Sequence, residues 1–217
     1  MSIQRVVIFA NGDLPDLEKT RAILHSDDFI VTADGGTKHA LALGLAPNVV
    51  MGDLDSITKE TRKKMEKDGV EIIQFRRDKN ETDLELAINH AVTLNPAQII
   101  IVAALGNRLD HTLGNLSLMT ATQLSGLDIR LDDGVEEVFF CRDQAEVHGR
   151  IGDIVSLIPW QADVTGVGTS GLKWPLHGET LYSNKTRGIS NEMIFETASI
   201  HIESGSLLVI HTRAVRE

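Results

Sequence analysis

The stretch Asn48-Val49-Val50-Met51-Gly52-Asp53-Leu54-Asp55-Ser56 decides the fold, because it joins a short β-type run directly to two carboxylates one residue apart. Parallel sheets carry their chemistry at the carboxyl ends of their strands. Side chains alternate along an extended segment, so Asp53 and Asp55 are predicted to lie on one side and to ligate one ion, both directly or one through water. The competing interpretation is a turn that only caps a helix beginning near Thr58.

Acidic residues follow other apolar runs in the same way. Three more segments show it: Ala33-Asp34-Gly35-Gly36 after residues 29–31, Asp78-Lys79-Asn80-Glu81-Thr82-Asp83 after residues 72–75, and Gly106-Asn107-Arg108-Leu109-Asp110-His111 after residues 99–103. In a parallel sheet these carboxylates would meet at one edge, and their mutual repulsion calls for a cation. Oxygen ligands favour Mg²⁺ or Mn²⁺ over Zn²⁺. Because Mg²⁺ usually keeps substrate phosphates in its shell, the pattern indicates a nucleotide.

Composition narrows the function further. The chain has 217 residues, 42% of them apolar, and a formal net charge of −10. With no Lys/Arg-rich run, a nucleic-acid surface is not expected, and an anionic substrate would need a metal ion. A single cysteine, Cys141, cannot form an intrachain disulfide, and the apolar run 6–10 is too short for a signal sequence or a membrane span. We therefore expect a cytoplasmic protein without a membrane partner.

The pattern of predicted secondary structure changes at about residue 133. Strand-like runs at residues 5–10, 29–33, 48–51, 71–75, 98–103 and 128–131 alternate with segments of helical length, which predicts an α/β domain over residues 1–133 with a mainly parallel sheet. The runs at residues 138–141, 154–159, 164–167, 192–197 and 207–211 predict an all-β, sandwich-like domain over residues 134–217. The second domain is small, so we expect it to depend on a partner.

Two helices are predicted to begin within the acidic segments. Thr82-Asp83-Leu84-Glu85 matches a capping box, which places Thr82 at the N-cap and Asp83 in the first turn. Asp110 opens another helix, with apolar positions at Leu113, Leu116, Met119 and Leu124. Carboxylates of both segments are thereby predicted to lie at helix starts.

Several side chains have both a functional and a structural interpretation. Asp34-Gly35-Gly36 is a tight turn or a place where backbone N–H groups approach a phosphate or ribose, while Arg108 with Asp110 is a phosphate clamp or a surface ion pair. Lys79 contacts a phosphate or is solvated. His111 is interpreted as structural, and Trp174 as a core residue rather than a ligand-stacking one. No G-x-G-x-x-G or P-loop motif occurs, which argues against dinucleotide oxidoreductases and P-loop enzymes.

These segments together resemble the thiamine pyrophosphokinase family. The match comprises, in the family's order, Ala33–Gly36, Gly52–Ser56, Asp78-Lys79-x-x-Thr82-Asp83, Gly106–His111, Thr169–Trp174 and Ser190-Asn191. The resemblance implies Mg²⁺-dependent transfer of a pyrophosphoryl group from ATP to thiamine, giving thiamine diphosphate and AMP. It also implies a homodimer whose β domain supplies part of a thiamine pocket at the subunit interface.

The resemblance also implies roles for individual residues. Asp53, Asp55 and Asp83 correspond to the metal- and pyrophosphate-handling carboxylates, and Asp34, Asp78 and Asp110 correspond to nucleotide- or substrate-side residues. Arg108 and Asp110 complete the predicted catalytic set. The predicted nucleotide side comprises Asp34, Gly35, Gly36, Asp78, Lys79 and Thr82. Ser190 and Asn191 correspond to thiamine contacts from the opposing subunit. Asn80 stands where the family often has an acidic residue, and no role is assigned to it.

Two other functions fit the residues. A Mg²⁺-dependent nucleotide phosphohydrolase would use the same acidic strand edge with water as the nucleophile. A non-catalytic nucleotide-sensing module would bind ATP without turnover and use the β domain as an interaction surface. Incubation with ATP alone separates the hydrolase from the transferase, whereas tight ATP binding with no turnover of any alcohol would indicate the sensing module.

Overall fold

The computed structural model describes residues 3–55, 57–106 and 108–214 of the chain. The chain forms two compact units, Met1–Gly134 and Val135–Glu217. Ser56 and Asn107, which belong to the motifs quoted above, lie outside the described residues. Within the described ranges, no helix is both long enough and apolar enough to cross a membrane.

Strands and helices alternate in the first unit. The strands are β1 Arg5–Phe9, β2 Phe29–Ala33, β3 Val49–Gly52, β4 Glu71–Gln74, β5 Gln98–Val102 and β6 Asp128–Asp132; the helices are α1 Leu17–Ala22, α2 Thr37–Ala42, α3 Lys59–Lys67, α4 Asp83–Thr93 and α5 Leu109–Leu118. The strand order is β4-β3-β2-β1-β5-β6, and every pairing along it is parallel. This confirms the predicted α/β class with a parallel sheet.

Local sequence explains these elements. In β1, Val6, Val7, Ile8 and Phe9 are fully buried, as expected for a central parallel strand covered on both faces. The hydroxyl of Thr82 accepts a hydrogen bond from the Glu85 N–H and caps α4, as predicted. In the Asp110 segment the periodicity prediction was partly wrong. Leu116 and Met119 are buried, but Leu113 is 48% exposed and Leu124 lies in a separate 3₁₀ turn.

The second unit is built from antiparallel strands. They are β7 Glu136–Cys141, β8 Gln144–His148, β9 Ile154–Pro159, β10 Val164–Ser170, β11 His177–Leu181, β12 Asn191–Glu192, β13 Thr197–His201 and β14 Leu207–Thr212. Within this unit the strand orders are β12-β9-β14-β7 and β11-β10-β13-β8, and the buried apolar cluster takes side chains from both sets. No helix occurs in its described residues. The predicted all-β, sandwich-like class is confirmed.

One predicted strand, residues 192–197, was wrong. The chain pairs with β9 only through Asn191 and Glu192, and Met193 forms an isolated bridge to Leu172. Pairing with β8 then begins at Thr197. The intervening Phe195 is 63% exposed. The β-favouring run is therefore divided because the chain leaves one set of strands and joins the other. The strands β8, β11 and β13 were missed, since polar residues dominate all three.

The second unit also buries a charged cluster around His211. The imidazole is fully buried; its Nδ1 lies 3.2 Å from Glu137 Oε2 and its Nε2 lies 3.0 Å from Asp153 Oδ2. Burial alone would lower the pKa of His211, but the two carboxylate hydrogen bonds outweigh it and raise that pKa. Burial opposes the charged form of Asp153, yet hydrogen bonds from the Ala214 N–H, His211 and the Arg150 N–H lower its pKa.

Candidate active site

A cavity of about 700 Å³ lies at the carboxyl ends of β1, β2, β3 and β5. This volume is in the usual range for small-molecule sites. Six of the predicted site residues line it: Asp34, Asp53, Lys79, Thr82, Asp83 and Arg108. Asp55 and Asp78 line an adjoining depression, which shares Asp53 and Arg77 with the cavity. Gly35, Gly36 and Asp110 are outside both linings. The parallel topology has therefore gathered several of the acidic strand ends, as the sequence predicted.

Three carboxylates form the centre of this edge. One ligand oxygen from each of Asp34, Asp53 and Asp55 lies within 4.8 Å of the other two. The backbone between the last two is a turn: Gly52 has φ 149°, Leu54 has φ 65°, and the Asp55 N–H donates to Asp53 Oδ1 at 3.1 Å. The two aspartates share a side as predicted, but the predicted reason, alternation along an extended tip, was wrong.

The buried side chain of Leu54 stabilises this turn. A left-handed backbone costs a residue other than glycine about 1–2 kcal/mol. The Leu54 side chain is only 7% exposed and belongs to a buried cluster with Val50 and Met65. Burial of a leucine side chain contributes about 1.5–3 kcal/mol, enough to offset that cost. Packing of Leu54 against Val50 and Met65 therefore stabilises the left-handed backbone conformation that brings the carboxylates together.

The electrostatics of the cluster suit a divalent cation. The pKa of the Asp55 carboxyl is raised, first by the charge of Asp53, then by partial desolvation and by Asp34; Arg77, with Nη1 3.8 Å from Asp55 Oδ2, acts in the opposite direction. Carboxylates that repel one another in this way form an oxygen-only donor set of the kind that Mg²⁺ and Mn²⁺ prefer. The residues present therefore fit the predicted ion.

Asp83 lies in the same cavity but is engaged differently. It occupies the first turn of α4 and forms an ion pair with Lys79, whose ammonium group also lies 5.3 Å from the centroid of the Phe75 ring. The structure thus brings Asp34, rather than Asp83, next to Asp53 and Asp55. The assignment of Asp83 as a metal ligand stays a prediction.

Arg108 and Asp110 form a two-point ion pair at the start of α5. Arg108 Nε donates to Asp110 Oδ1 at 3.1 Å, and Nη2 donates to Oδ2 at 2.5 Å; both side chains are exposed. These hydrogen bonds lower the pKa of Asp110 and raise that of Arg108. Asp78 likewise pairs with Arg76, with Nε–Oδ1 3.2 Å. Arg108 faces the cavity with its charge balanced by a carboxylate that an anionic ligand can replace.

Sequence reasoning missed part of the cavity wall. Asn11 and Gly12, which follow β1, and Arg77, which follows β4, all line it. The missed signal is the same one that found the other segments, because Asn11-Gly12-Asp13 directly follows an apolar run. Gly35 and Gly36 are buried and form a 3₁₀ turn with Asp34. Their predicted approach to a phosphate or ribose stays a prediction.

In the second unit the predicted residue Ser190 ends a turn, and Asn191 begins β12. Ser190 has φ 59°, and its N–H donates to Ser156 Oγ at 3.0 Å. The Asn191 amide is buried and bonds both backbone groups of Trp174, accepting from its N–H at 3.1 Å and donating to its carbonyl at 2.7 Å. Trp174 is 58% exposed, so its assignment to the core was wrong. Leu172 and Leu176 fill the core there, and the bend between them turns Trp174 outward.

Comparison with known proteins gives one consistent result. Residues 20–131 match the family model for the catalytic domain of thiamin pyrophosphokinase, and residues 143–209 match the model for its vitamin B1 binding domain. The chain is 30% identical to the thiamine pyrophosphokinase of Bacillus subtilis over 184 residues, which is 84% of this chain and 86% of that protein.

Solved structures show the same similarity. A crystal structure of thiamine pyrophosphokinase from Bacillus subtilis superposes with a TM-score of 0.87 at 27% identity, covering 98% of this chain and 100% of that one. The thiamin pyrophosphokinase of Geobacillus thermodenitrificans superposes with a TM-score of 0.83 at 25% identity, covering 97% and 98%. The likeness extends across both units.

Proposed function

Because this chain belongs to the thiamin pyrophosphokinase family, we propose that it transfers a pyrophosphoryl group from ATP to the hydroxyl of thiamine, giving thiamine diphosphate and AMP with Mg²⁺ or Mn²⁺ as the required cation. We place this chemistry in the cavity at the ends of the parallel strands. A cytoplasmic location, expected from the sequence, belongs to the same proposal.

The observation that carries the proposal is the charge arrangement of the cavity. Asp34, Asp53 and Asp55 lie together at one edge, and Lys79 and Arg108 line the same space. A metal-bound triphosphate needs carboxylates for the ion and cations for the phosphate oxygens that the ion does not reach. The strand ends of this unit supply both.

The residues act mainly by positioning and charge. Asp34, Asp53 and Asp55 would hold the cation, which when bound neutralises phosphate charge as the transfer proceeds. Arg108 exchanges its carboxylate partner Asp110 for the phosphate oxygens, and Lys79 does the same from Asp83. The thiamine hydroxyl has to attack the β-phosphorus in line and pass its proton to a carboxylate of the cluster. No covalent intermediate with the protein is required.

We propose that the β unit of a second subunit completes the thiamine side of the site. Ser190 and Asn191 are the predicted contacts, and the Asn191 amide bonds the backbone of Trp174, whose side chain is exposed. Asn191 uses one N–H of its amide for Trp174, so the other N–H can donate to a ligand. A homodimer is therefore part of the proposal, and light scattering at assay concentration tests it; a fully active monomer contradicts it.

The decisive experiment is product analysis by phosphorus NMR. Purified protein is mixed with ATP and Mg²⁺, with and without thiamine, and the phosphorus products are identified. Formation of AMP and thiamine diphosphate only when thiamine is present supports the proposal. Rapid hydrolysis of ATP without thiamine indicates the phosphohydrolase instead, and tight ATP binding without turnover indicates the sensing module. ADP as the product would show transfer of one phosphoryl group only.

A further inference from the structure

The loop that follows β1 is held on two sides. On the side of β5, the Gly12 N–H donates to the Ala103 carbonyl at 2.7 Å and the Asp13 N–H donates to the Leu105 carbonyl at 3.2 Å. These bonds continue the β1–β5 contact beyond the strand ends. The Gly12 carbonyl takes no part in these bonds. It accepts a hydrogen bond from a side chain of another element.

That side chain is His39 of α2. Its Nε2 lies 2.9 Å from the Gly12 oxygen. A carbonyl oxygen only accepts, so Nε2 carries the proton and donates. The ring is half-buried, and burial is the main cause of its lowered pKa; the neighbouring charge of Lys38 acts in the same direction, while the Gly12 bond and Asp13 oppose it. The neutral Nε2–H tautomer is sufficient for the bond.

Gly12 has no space to move towards β5. A Cβ at this position would lie 2.8 Å from the Leu105 oxygen and closer still to that of Ala103. The loop therefore lies directly against the residues that follow β5, and His39 of α2 bonds its remaining carbonyl. At the preceding residue, the Asn11 amide lies against Gly35 in the turn that carries Asp34, and Asn11, Gly12 and Asp34 all line the cavity.

We propose that His39 is a positioning residue for nucleotide binding: by donating to the Gly12 carbonyl it fixes the loop of residues 10–13 and so places the Asn11 amide on the cavity wall. The inference rests on the proposed function, which identifies the ligand as Mg-ATP. Asn11 supplies an amide donor and acceptor that suit a ribose hydroxyl or a phosphate oxygen. His39 itself does not contact the nucleotide.

Replacing His39 by glutamine or by asparagine provides the test, because the two amides differ in length. Glutamine at position 39 can place its amide nitrogen where Nε2 lies and keep the bond, whereas asparagine is one methylene shorter and cannot. For His39→Asn we expect the dissociation constant of Mg-ATP, measured by calorimetry without thiamine, to rise about 10-fold, as for a lost hydrogen bond that orders a loop. His39→Gln should stay within about threefold of the wild type, and the KM for thiamine should change less than twofold in both.

Two further variants separate positioning from folding. His177→Asn, on an exposed strand of the second unit, controls for replacing a histidine and should bind Mg-ATP normally. Gly12→Ala displaces the same loop from the β5 side and should weaken Mg-ATP binding selectively, so it decides the matter if His39→Asn does not fold. In the His39→Asn background, Asn11→Ala should cause little additional loss, because the amide is already misplaced.

Clear results would overturn the inference. A folded His39→Asn protein that binds Mg-ATP as tightly as the wild type contradicts it, and so do equal losses in the Gln and Asn variants. If His39→Asn does not fold, wild-type affinity in Gly12→Ala contradicts it. If the wild-type protein makes thiamine diphosphate and these variants bind normally, the positioning role fails alone; if the wild-type protein does not bind Mg-ATP at all, the proposed function fails with it.

Discussion

The two units each gather carboxylates, and they do so in electrostatically opposite ways. In the first unit Asp34, Asp53 and Asp55 approach one another, and the charge of Asp53 is the main reason that the pKa of Asp55 is raised. In the second unit Glu137 and Asp153 approach His211, and their hydrogen bonds raise the pKa of the imidazole in spite of its burial. One cluster contains mutual repulsion, and the other contains attraction.

This difference separates a binding site from a structural element. A buried carboxylate pair around an imidazolium satisfies its charges inside the fold and needs no ligand. Carboxylates that raise each other's pKa at an exposed strand edge are stabilised by adding a cation from solution. Removing one charge should therefore have opposite consequences for the stability of the two units, and that can be measured.

The largest effect is expected for Asp55→Asn. Loss of one charge from the cluster should lower kcat by about 100-fold or more, because charge stabilisation in the transition state is lost. In EDTA the melting temperature should be no lower than that of the wild type, since a source of repulsion has been removed. Asp68→Asn, at the exposed C-cap of α3, is the matched control. Near wild-type kcat at saturating Mg²⁺ in a folded Asp55→Asn protein would refute the assignment.

Removing the cation from the other cluster should damage the fold. His211→Asn leaves Glu137 and Asp153 buried without the imidazolium between them, and breaking a buried ion pair in this way costs about 3 kcal/mol of unfolding free energy. Urea denaturation measures it, with His177→Asn as the exposed control. A loss below about 1 kcal/mol would show that His211 is not the internal counter-ion, and the contrast between the units would disappear.

Asn191→Ala asks whether the second unit is purely structural. We expect kcat/KM for thiamine to fall about 10-fold while the affinity for ATP changes little, because a buried amide that holds Trp174 and offers a donor is lost. Steady-state kinetics with each substrate varied measures it. Mixed dimers of Asp55→Asn and Asn191→Ala subunits should regain activity if the contact crosses the interface. No recovery in verified heterodimers would assign Asn191 to its own subunit.

The smallest effect concerns pH. His211 has a raised pKa, so its contribution to stability is complete below its unfolded pKa of about 6.5 and is lost as the pH rises through the higher folded value. Asp153 has a lowered pKa, so its contribution is present above about pH 4 and is lost as the pH falls through the folded value. As the pH rises from about 6 to 9, the difference in unfolding free energy between wild type and His211→Asn should therefore narrow. A constant difference would mean that His211 does not titrate.

The strand-end rule explains what the sequence could predict. Parallel strands with buried apolar runs place their following residues at one edge, so the sequence predicts Asp34, Asp53, Asp83 and Arg108 at one edge of the sheet. All four line the cavity. The same rule covers Asn11 and Gly12, which were missed although Asn11-Gly12-Asp13 directly follows the apolar run of β1. Buried strands could be predicted because their apolar runs consist of residues that are neighbours in the sequence.

Other features depend on contacts distant in sequence and could not be read in this way. Trp174 turns outward because Asn191, 17 residues away, bonds its backbone. The run 192–197 is divided because its start pairs with β9 and its end pairs with β8. Nothing local distinguishes His211 from an exposed histidine until Glu137 and Asp153 are brought to it. Side-chain partners of this kind are set by the tertiary fold, which periodicity does not describe.

Leu54, with its left-handed backbone conformation, links the carboxylate cluster to helix α3. Its side chain packs with Met65 of α3, and its carbonyl accepts from the Ile57 N–H at 3.3 Å. A cation bound by Asp53 and Asp55 would therefore stabilise the same backbone turn, which precedes α3 in the chain. Occupancy of the site should be visible as slower amide hydrogen exchange at Ile57 and in the first turn of α3, away from the cation itself.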